Sequence, residues 1–312
     1  MHSKLHIYQD LTGLDVSFIK VHECPLCKTA NGVGERLPIN AYRFGSYYIK
    51  LPDDGINLVK CNECGLQYKD TVPSHQSLAH LFRSSAKSVW VDKQIPFTME
   101  LGYLTDYLAD SDGSLIDIGS SDGALLRAIK GCCDVRSALD VYEDPRCQES
   151  VSGEYILGFI EDAKITFARN YGVATAFDVF EHFYSPDMAA LNFKKMLLPK
   201  VGVIFGETGN TDSVQSVSSW WYTHLIEHHI FWNKKSLEYY CKKHGFILEL
   251  VRNVAHKGRR YLSLPKRITA FILHIGRKTY LAKVAWKILK IDSSMVGNPY
   301  VRDHFIFTIR SN

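Results

Sequence analysis

Seven short runs of buried-type residues recur along the last two-thirds of the chain, and helical patterns separate most of them. The runs are Ser114–Ile118, Val135–Val141, Tyr155–Ile160, Val173–Phe180, Val201–Glu207, Phe246–Val251 and His304–Ile309. Nearly continuous apolar runs of this length read as strands covered on both faces. Helical signals fall at Asp122–Lys130, with Asp122 as N-cap, and at Asp162–Asn170. Two more fall at Asp187–Leu197, before Pro199, and at Lys234–His244, before Gly245. Ahead of the first run, Ile95, Leu101, Leu104 and Leu108 give a further helix within Asp92–Ala109. Strands alternating with helices predict an α/β fold, a doubly wound and mostly parallel seven-stranded sheet. Residues 1–88 read differently, as a loop-rich, short-stranded N-terminal domain preceding the sheet domain at 89–312. The interval 253–301, between the last two strands, has its own helical pattern and reads as an insertion, because an apolar strand follows it.

Composition narrows the class. The 312 residues are 46% hydrophobic with a mean hydropathy of −0.12, as in an ordinary globular protein. The first twenty residues hold no signal-type apolar core. The longest uncharged apolar-rich run, Ile268–Ile275, falls short of the ~18 residues that span a bilayer. The expectation is a cytoplasmic protein whose eight cysteines are thiols or metal ligands, not disulfides. Charge is uneven. Residues 250–291 hold eleven Lys or Arg and no Asp or Glu, which leaves the rest of the chain at −7 against a net charge of +4. Such a block is a solvated face, a lid over a cleft or a contact for an anionic partner. At 259–291, Lys and Arg alternate with apolar residues, and a peripheral contact with the inner membrane face is one expectation.

The most telling chemistry is the stretch L-I-D-I-G-S-S-D-G-A-L-L at Leu115–Leu126. It is a strand, a small-residue turn and a helix start, a geometry that brings backbone amides close to a ligand. The spacing is not G-x-G-x-x-G. Asp117 would meet a dinucleotide pyrophosphate with like charge, whereas it suits the cationic amino group of S-adenosylmethionine (SAM). Asp140, ending the next apolar run, is placed to accept hydrogen bonds from both ribose hydroxyls.

Over residues 92–251 the chain resembles the class I SAM-dependent methyltransferases, whose fold is Rossmann-like. D-I-G-S-S-D-G stands where that family has D-x-G-x-G-x-G, with Ser121 in place of the middle glycine. F-D-V-F-E-H, Phe177–His182, matches the end of its fourth strand, and Met196–Glu207 matches its fifth-strand turn. The resemblance implies that Asp117, Gly119, Ser121 and Gly123 line the methionine and ribose portion and that Asp140 holds the ribose. Phe159 and Phe177 are candidates for adenine contact, and Glu181 for the cofactor side.

Cys24-Pro-Leu-Cys27 and Cys61-Asn-Glu-Cys64-Gly form two C-x2-C knuckles. Two residues between thiolates let one turn present both sulfurs to one ion, and four thiolates close a structural Zn²⁺ site. Disulfides conflict with the expected compartment. A zinc-binding segment before such a core, with C-x-x-C-G-L-Q at Cys61–Gln67, is similar to the deoxysugar C-methyltransferases that act on nucleotide sugars, and to their polysaccharide and natural-product relatives. Glu227–Trp232 resembles the E-H-L-S-Y-F segment of those enzymes, which holds an active-site Glu-His pair. His228 is the expected general base with Glu227 its aid, and His182 beside Glu181 is the second candidate. An imidazole accepts a proton at neutral pH and a carboxylate can orient it. These readings favour methyl transfer to a hydroxyl or carbon of an anionic sugar, glycan or other small acceptor. An RNA methyltransferase, with the zinc ribbon and basic block gripping nucleic acid, is the alternative. No N-P-P-Y or D-P-P-Y strand end supports it, and nucleic acid is not the expected partner. A non-catalytic zinc-ribbon protein would not need the intact Asp117, Gly119, Gly123 and Asp140.

Overall fold

The structure is a computed structural model that describes residues 16–44, 47–89, 97–256 and 302–312. The N-terminal part contains β1 (Phe18–Lys20), β2 (Gly32–Arg36), β3 (Ala41–Phe44), β4 (Tyr47–Lys50), β5 (Asn57–Cys61), β6 (Gln67–Lys69) and β7 (Thr71–Pro73). Helices α1 (His75–Val89) and α2 (Thr98–Ala109) follow. The remainder runs β8 (Ser114–Ile118), α3 (Ala124–Ala128), β9 (Val135–Asp140), α4 (Pro145–Gln148), β10 (Tyr155–Leu157), β11 (Val173–Phe177), α5 (Pro186–Met196) and β12 (Val203–Gly209). It ends with β13 (Ile230–Phe231), α6 (Lys234–His244), β14 (Phe246–Val254) and β15 (His304–Ser311).

The main sheet has seven strands in the order β10-β9-β8-β11-β12-β15-β14. All pair in parallel except β15, which runs antiparallel between β12 and β14. The predicted sheet is thus present. Residues of β8, β11 and β12 are buried throughout, which is why their sequences run apolar without alternating. The chain leaves β8 toward β9 and β10 on one side, then returns to place β11 on the other. That reversal opens a crevice at the carboxyl ends of β8 and β11, where ligands bind in open α/β sheets.

The N-terminal part is built onto the sheet domain. Its sheet, ordered β13-β6-β5-β2, takes its edge strand β13 from the segment after β12. Ile230 pairs with Tyr68 and Phe231 with Gln67, and the Lys69 N–H donates to the His229 carbonyl at 2.9 Å. The Asn233 amide donates to Gly65 O at 2.9 Å, and Tyr184 OH to Pro73 O at 2.9 Å. One apolar core holds Cys24, Cys61, Cys64 and Leu66 together with Phe180, Trp232 and Tyr240. The expected boundary at residue 88 therefore does not separate two independent packing units.

Several local expectations change. Asp162–Asn170 is not helical. The Asp162 carboxylate instead accepts the Phe159 N–H at 2.8 Å, a local side-chain bond that competes with a helix start. The helix expected over Asp122–Lys130 is only Ala124–Ala128. Gly123, at φ 75°, precedes it, and Asp122 accepts the Ala124 N–H at 3.1 Å from outside. The fourth strand ends at Phe177, and Phe180–His182 forms a 3-10 turn. α1 was not expected, although Leu78, Leu81 and Phe82 are buried on it at helical spacing. Of the cysteines outside the two knuckles, Cys132 is exposed, while Cys133, Cys147 and Cys241 are buried. The insertion lies outside the described residues from 257 to 301, as do the lid and membrane-contact expectations attached to it. Among the described residues no helix is long and apolar enough to cross a membrane.

Candidate active site

The turn after β8 is held by the backbone of β9. Gly119, at φ 70°, donates its N–H to Leu139 O at 2.8 Å, and a Cβ there would meet Val179 Cγ2 at 2.8 Å. Gly123 is left-handed too, and a Cβ would approach Cys147 Cα at 2.8 Å. Both positions need glycine for conformation and for space. Ser121 adopts φ 51°, so the serine tolerates the conformation that glycine adopts freely. Asp117 is buried at the end of β8, where Thr175 Oγ1 donates to its carboxylate at 2.6 Å.

Asp140 lies opposite this turn. Its carboxylate accepts the N–H of Ser121 at 2.7 Å and of Val141 at 2.7 Å. Burial pushes its carboxyl up to about 6, against the pull of these backbone donors. Beside it opens a cleft of about 340 Å³ lined by Val141, Gly158, Phe159 and Asp162, and on the facing side by His75, Gln76, Ala79 and Arg83 of α1. The Phe159 ring packs on His75 at 3.9 Å between centroids. Phe177 is not part of this lining. It packs against Phe97 and Phe205 in the core.

A buried polar cluster completes the arrangement. The 3-10 turn after β11 presents Glu181 and His182, and the loop before β13 presents Glu227 and His228. Thr208 donates to Glu181 at 2.7 Å, and Tyr222 OH donates to its other oxygen. The Nε2 atoms of His182 and His228 each lie 3.9 Å from Glu181 Oε1, with the two rings 4.9 Å apart. His182 Nδ1 lies 2.8 Å from the Glu227 carbonyl, so it carries the proton and Nε2 the lone pair. Glu227 thus orients His182 through its backbone, and no described hydrogen bond joins the Glu227 carboxylate to His228. Burial pushes Glu181 up to about 7 and holds both imidazoles below their ordinary value, which keeps them neutral. Lys69 reaches in from β6. Its Nζ donates to Leu225 O at 2.5 Å and sits 4.7 Å over the Tyr42 ring, and burial lowers it to about 7.

Residues 98–251 match the family model described as a methyltransferase domain. Over these residues the chain carries a methyltransferase domain. No curated protein sequence matches the chain. Solved structures similar to it include the cyclase SpnF, at 16% identity and a TM-score of 0.48 over 77% of this chain and 97% of that one. A SAM-dependent methyltransferase from Thiobacillus denitrificans in complex with S-adenosyl-L-homocysteine is similar at 14% identity and a TM-score of 0.46, over 73% and 96%. A methyltransferase-like protein from Bacillus halodurans is similar at 17% and 0.44, over 68% and 98%. The assignment rests on the domain model, not on these likenesses.

Within the methyltransferase domain, the structure brings Asp117, Gly119, Ser121, Gly123 and Asp140 together at one crevice and Glu181, His182 and His228 at one point beside it. His75, Arg83 and Lys69 are additions that reading the sequence missed. They come from the N-terminal part, and no local motif marks them. The four paired cysteines also converge. Cys24 and Cys64 sulfurs lie 3.5 Å apart and Cys27 and Cys61 sulfurs 3.4 Å apart, and all four lie within 4.8 Å of one another. Four sulfurs at ~2.3 Å from a tetrahedral zinc would be roughly 3.8 Å apart, so the donor set fits that ion.

Proposed function

We propose that the enzyme transfers the SAM methyl group to a hydroxyl or acidic carbon of a small polar acceptor of the sugar type. An imidazole of the His182–His228 pair takes the acceptor proton. The observation that carries this reading is the meeting of Glu181-His182 and Glu227-His228 next to the Gly119 turn, whose glycine abuts Val179 of the same connection. Asp140 accepts the ribose hydroxyls, Asp117 faces the methionine amino group, and the cleft between Phe159 and α1 takes the adenine. The sugar-type acceptor is favoured by the Glu227–Trp232 and Cys61–Gln67 sequences.

Of the two imidazoles, His182 is the more exposed, at 19% of its side chain against 5% for His228. Its tautomer leaves Nε2 basic. We therefore assign the base to His182 and not to the sequence's first choice, His228. In O-methylation the acceptor O–H bond breaks, and its proton passes to Nε2. The oxygen displaces the sulfonium in line, and S-adenosylhomocysteine leaves. A panel of nucleotide sugars and free sugars incubated with SAM tests this. At least one should gain the mass of a single methyl group, and an RNA acceptor that gains it instead would overturn the reading.

Binding should also depend on pH. Ribose hydroxyls donate to ionised Asp140, so SAM competes with protonation of a carboxyl held at about 6. Affinity should be flat above pH 7 and fall about tenfold per pH unit well below 6. Calorimetric titration between pH 5 and 8 measures it. Affinity that rises toward acid would contradict the role of Asp140.

In the same reading, Cys24, Cys27, Cys61 and Cys64 hold one structural zinc. With all four positions filled by thiolate the ion takes no part in the chemistry. It ties the Cys24–Cys27 turn, between β1 and β2, to the turn between β5 and β6, and β6 in turn carries β13 and Lys69 against the His228 loop.

A further inference from the structure

A second convergence of ligand-type side chains lies beside the histidine pair, and the proton transfer to His182 described above does not use it. Asp178 follows β11, His256 follows β14, and His304 begins β15. Because β15 is antiparallel, its first residue lies at the carboxyl ends of its neighbours, with His304 opposite Gly209 and Val254. One nitrogen or oxygen from each of the three side chains lies within 4.8 Å of the others. His256 Nε2 is 3.8 Å from Asp178 Oδ2, too far for a hydrogen bond.

We propose that Asp178, His256 and His304 bind one divalent first-row transition-metal ion at the acceptor end of the crevice. Two imidazoles and a carboxylate suit such an ion and leave coordination positions open for an oxygen ligand. Bonds of ~2.1 Å would bring the ligand atoms to roughly 3–3.5 Å apart, a small contraction. His304 is prepared for this task. It is fully buried, its Nδ1 lies 3.0 Å from the Asp303 carboxylate, and its Nε2 has no hydrogen-bond partner. Asp303 is itself fixed by the Trp220 indole N–H at 3.2 Å. A carboxylate that orients a histidine so that its other nitrogen faces an ion is the common outer support of metal sites. The Tyr222 ring lies 4.0 Å from His228 and 4.9 Å from His304, so one aromatic ring separates the proposed ion site from the histidine pair. If the methyl-transfer reading holds, the open positions take an acceptor oxygen and lower the energy of its deprotonation.

The test is binding, read without SAM or turnover. Full-length protein retaining its cysteine-bound metal is titrated with Co²⁺, by calorimetry and by visible absorption. One equivalent should bind, with weak bands of a nitrogen–oxygen site and no sulfur charge-transfer band. Asp303→Asn should raise the Kd by 10- to 100-fold, and His304→Ala by more. His256→Asn, at a partly exposed position, should also raise it at least tenfold while circular dichroism remains unchanged. This variant decides the matter if the buried ones do not fold. No Co²⁺ binding, binding unaffected by His256→Asn, or binding lost in His182→Asn but kept in His256→Asn would overturn the proposal. Co²⁺ binding by a protein that methylates nothing would keep the ion site and remove the methyl-transfer reading alone.

Discussion

Replacing His182 with alanine is expected to lower turnover by about 10²–10⁴-fold, the usual contribution of a positioned general base, while SAM affinity changes less than about threefold. His182 Nε2 is the basic nitrogen because Nδ1 faces the Glu227 carbonyl at 2.8 Å. Burial holds its proton affinity below the ordinary imidazole value. The base limb of the pH–rate profile should therefore lie below about 6.5. Activity is lost as pH falls through that value, because a protonated imidazole cannot accept. His228→Ala should cost less, since His228 is buried behind its neighbour. Added imidazole should partly restore His182→Ala and leave His228→Ala unchanged. Near-normal turnover in His182→Ala alongside a collapse in His228→Ala would return the base to His228. Near-normal turnover in both would remove the base from this cluster.

Replacing Cys61 with serine is expected to have the largest effect on folding. Structural zinc binding contributes on the order of 10–16 kcal/mol in small zinc modules, and here the second knuckle sits at the end of β5 and in the turn to β6. Metal content should fall from about one zinc per chain to near zero. The loss should reach the active site, because Cys61 ends β5, β6 pairs with β13, and β13 follows directly on His228 and His229. Thermal melting, elemental analysis and SAM turnover on one preparation check the chain of effects. A metal-free Cys61→Ser protein with wild-type melting and turnover would rule out both the ion and the coupling.

The sheet was legible because its strands are covered on both faces, so β8, β11 and β12 announce themselves as unbroken apolar runs. The Asp117–Gly123 turn and the Cys pairs were legible because their chemistry depends on local spacing. Long-range pairings were not. Nothing near Lys69 says that its ammonium will lie under Tyr42 and against the Leu225 carbonyl, and nothing in Ile230–Phe231 says that it will become an edge strand of the N-terminal sheet. The helix expected at Asp162 failed for a local reason, the Asp162 carboxylate capturing the Phe159 N–H. The expected pairing of Glu227 with His228 rested on their adjacency and on the resemblance of Glu227–Trp232 to an E-H-L-S-Y-F segment. In an extended loop, however, neighbouring side chains point apart, and Glu181 from another element meets both histidines instead.

The Asp117–Asp140 crevice is expected to bind an adenosyl sulfonium and not a dinucleotide. Calorimetric titration of full-length protein with SAM, S-adenosylhomocysteine and NADH, in parallel with Asp140→Ala, tests it most directly. Loss of charged hydrogen bonds worth about 1.5–3 kcal/mol each should weaken both adenosyl ligands on the order of 10²-fold in the variant, and NADH should give no heat in either protein. NADH binding without SAM binding, or equal SAM affinity in wild type and Asp140→Ala, would contradict the account.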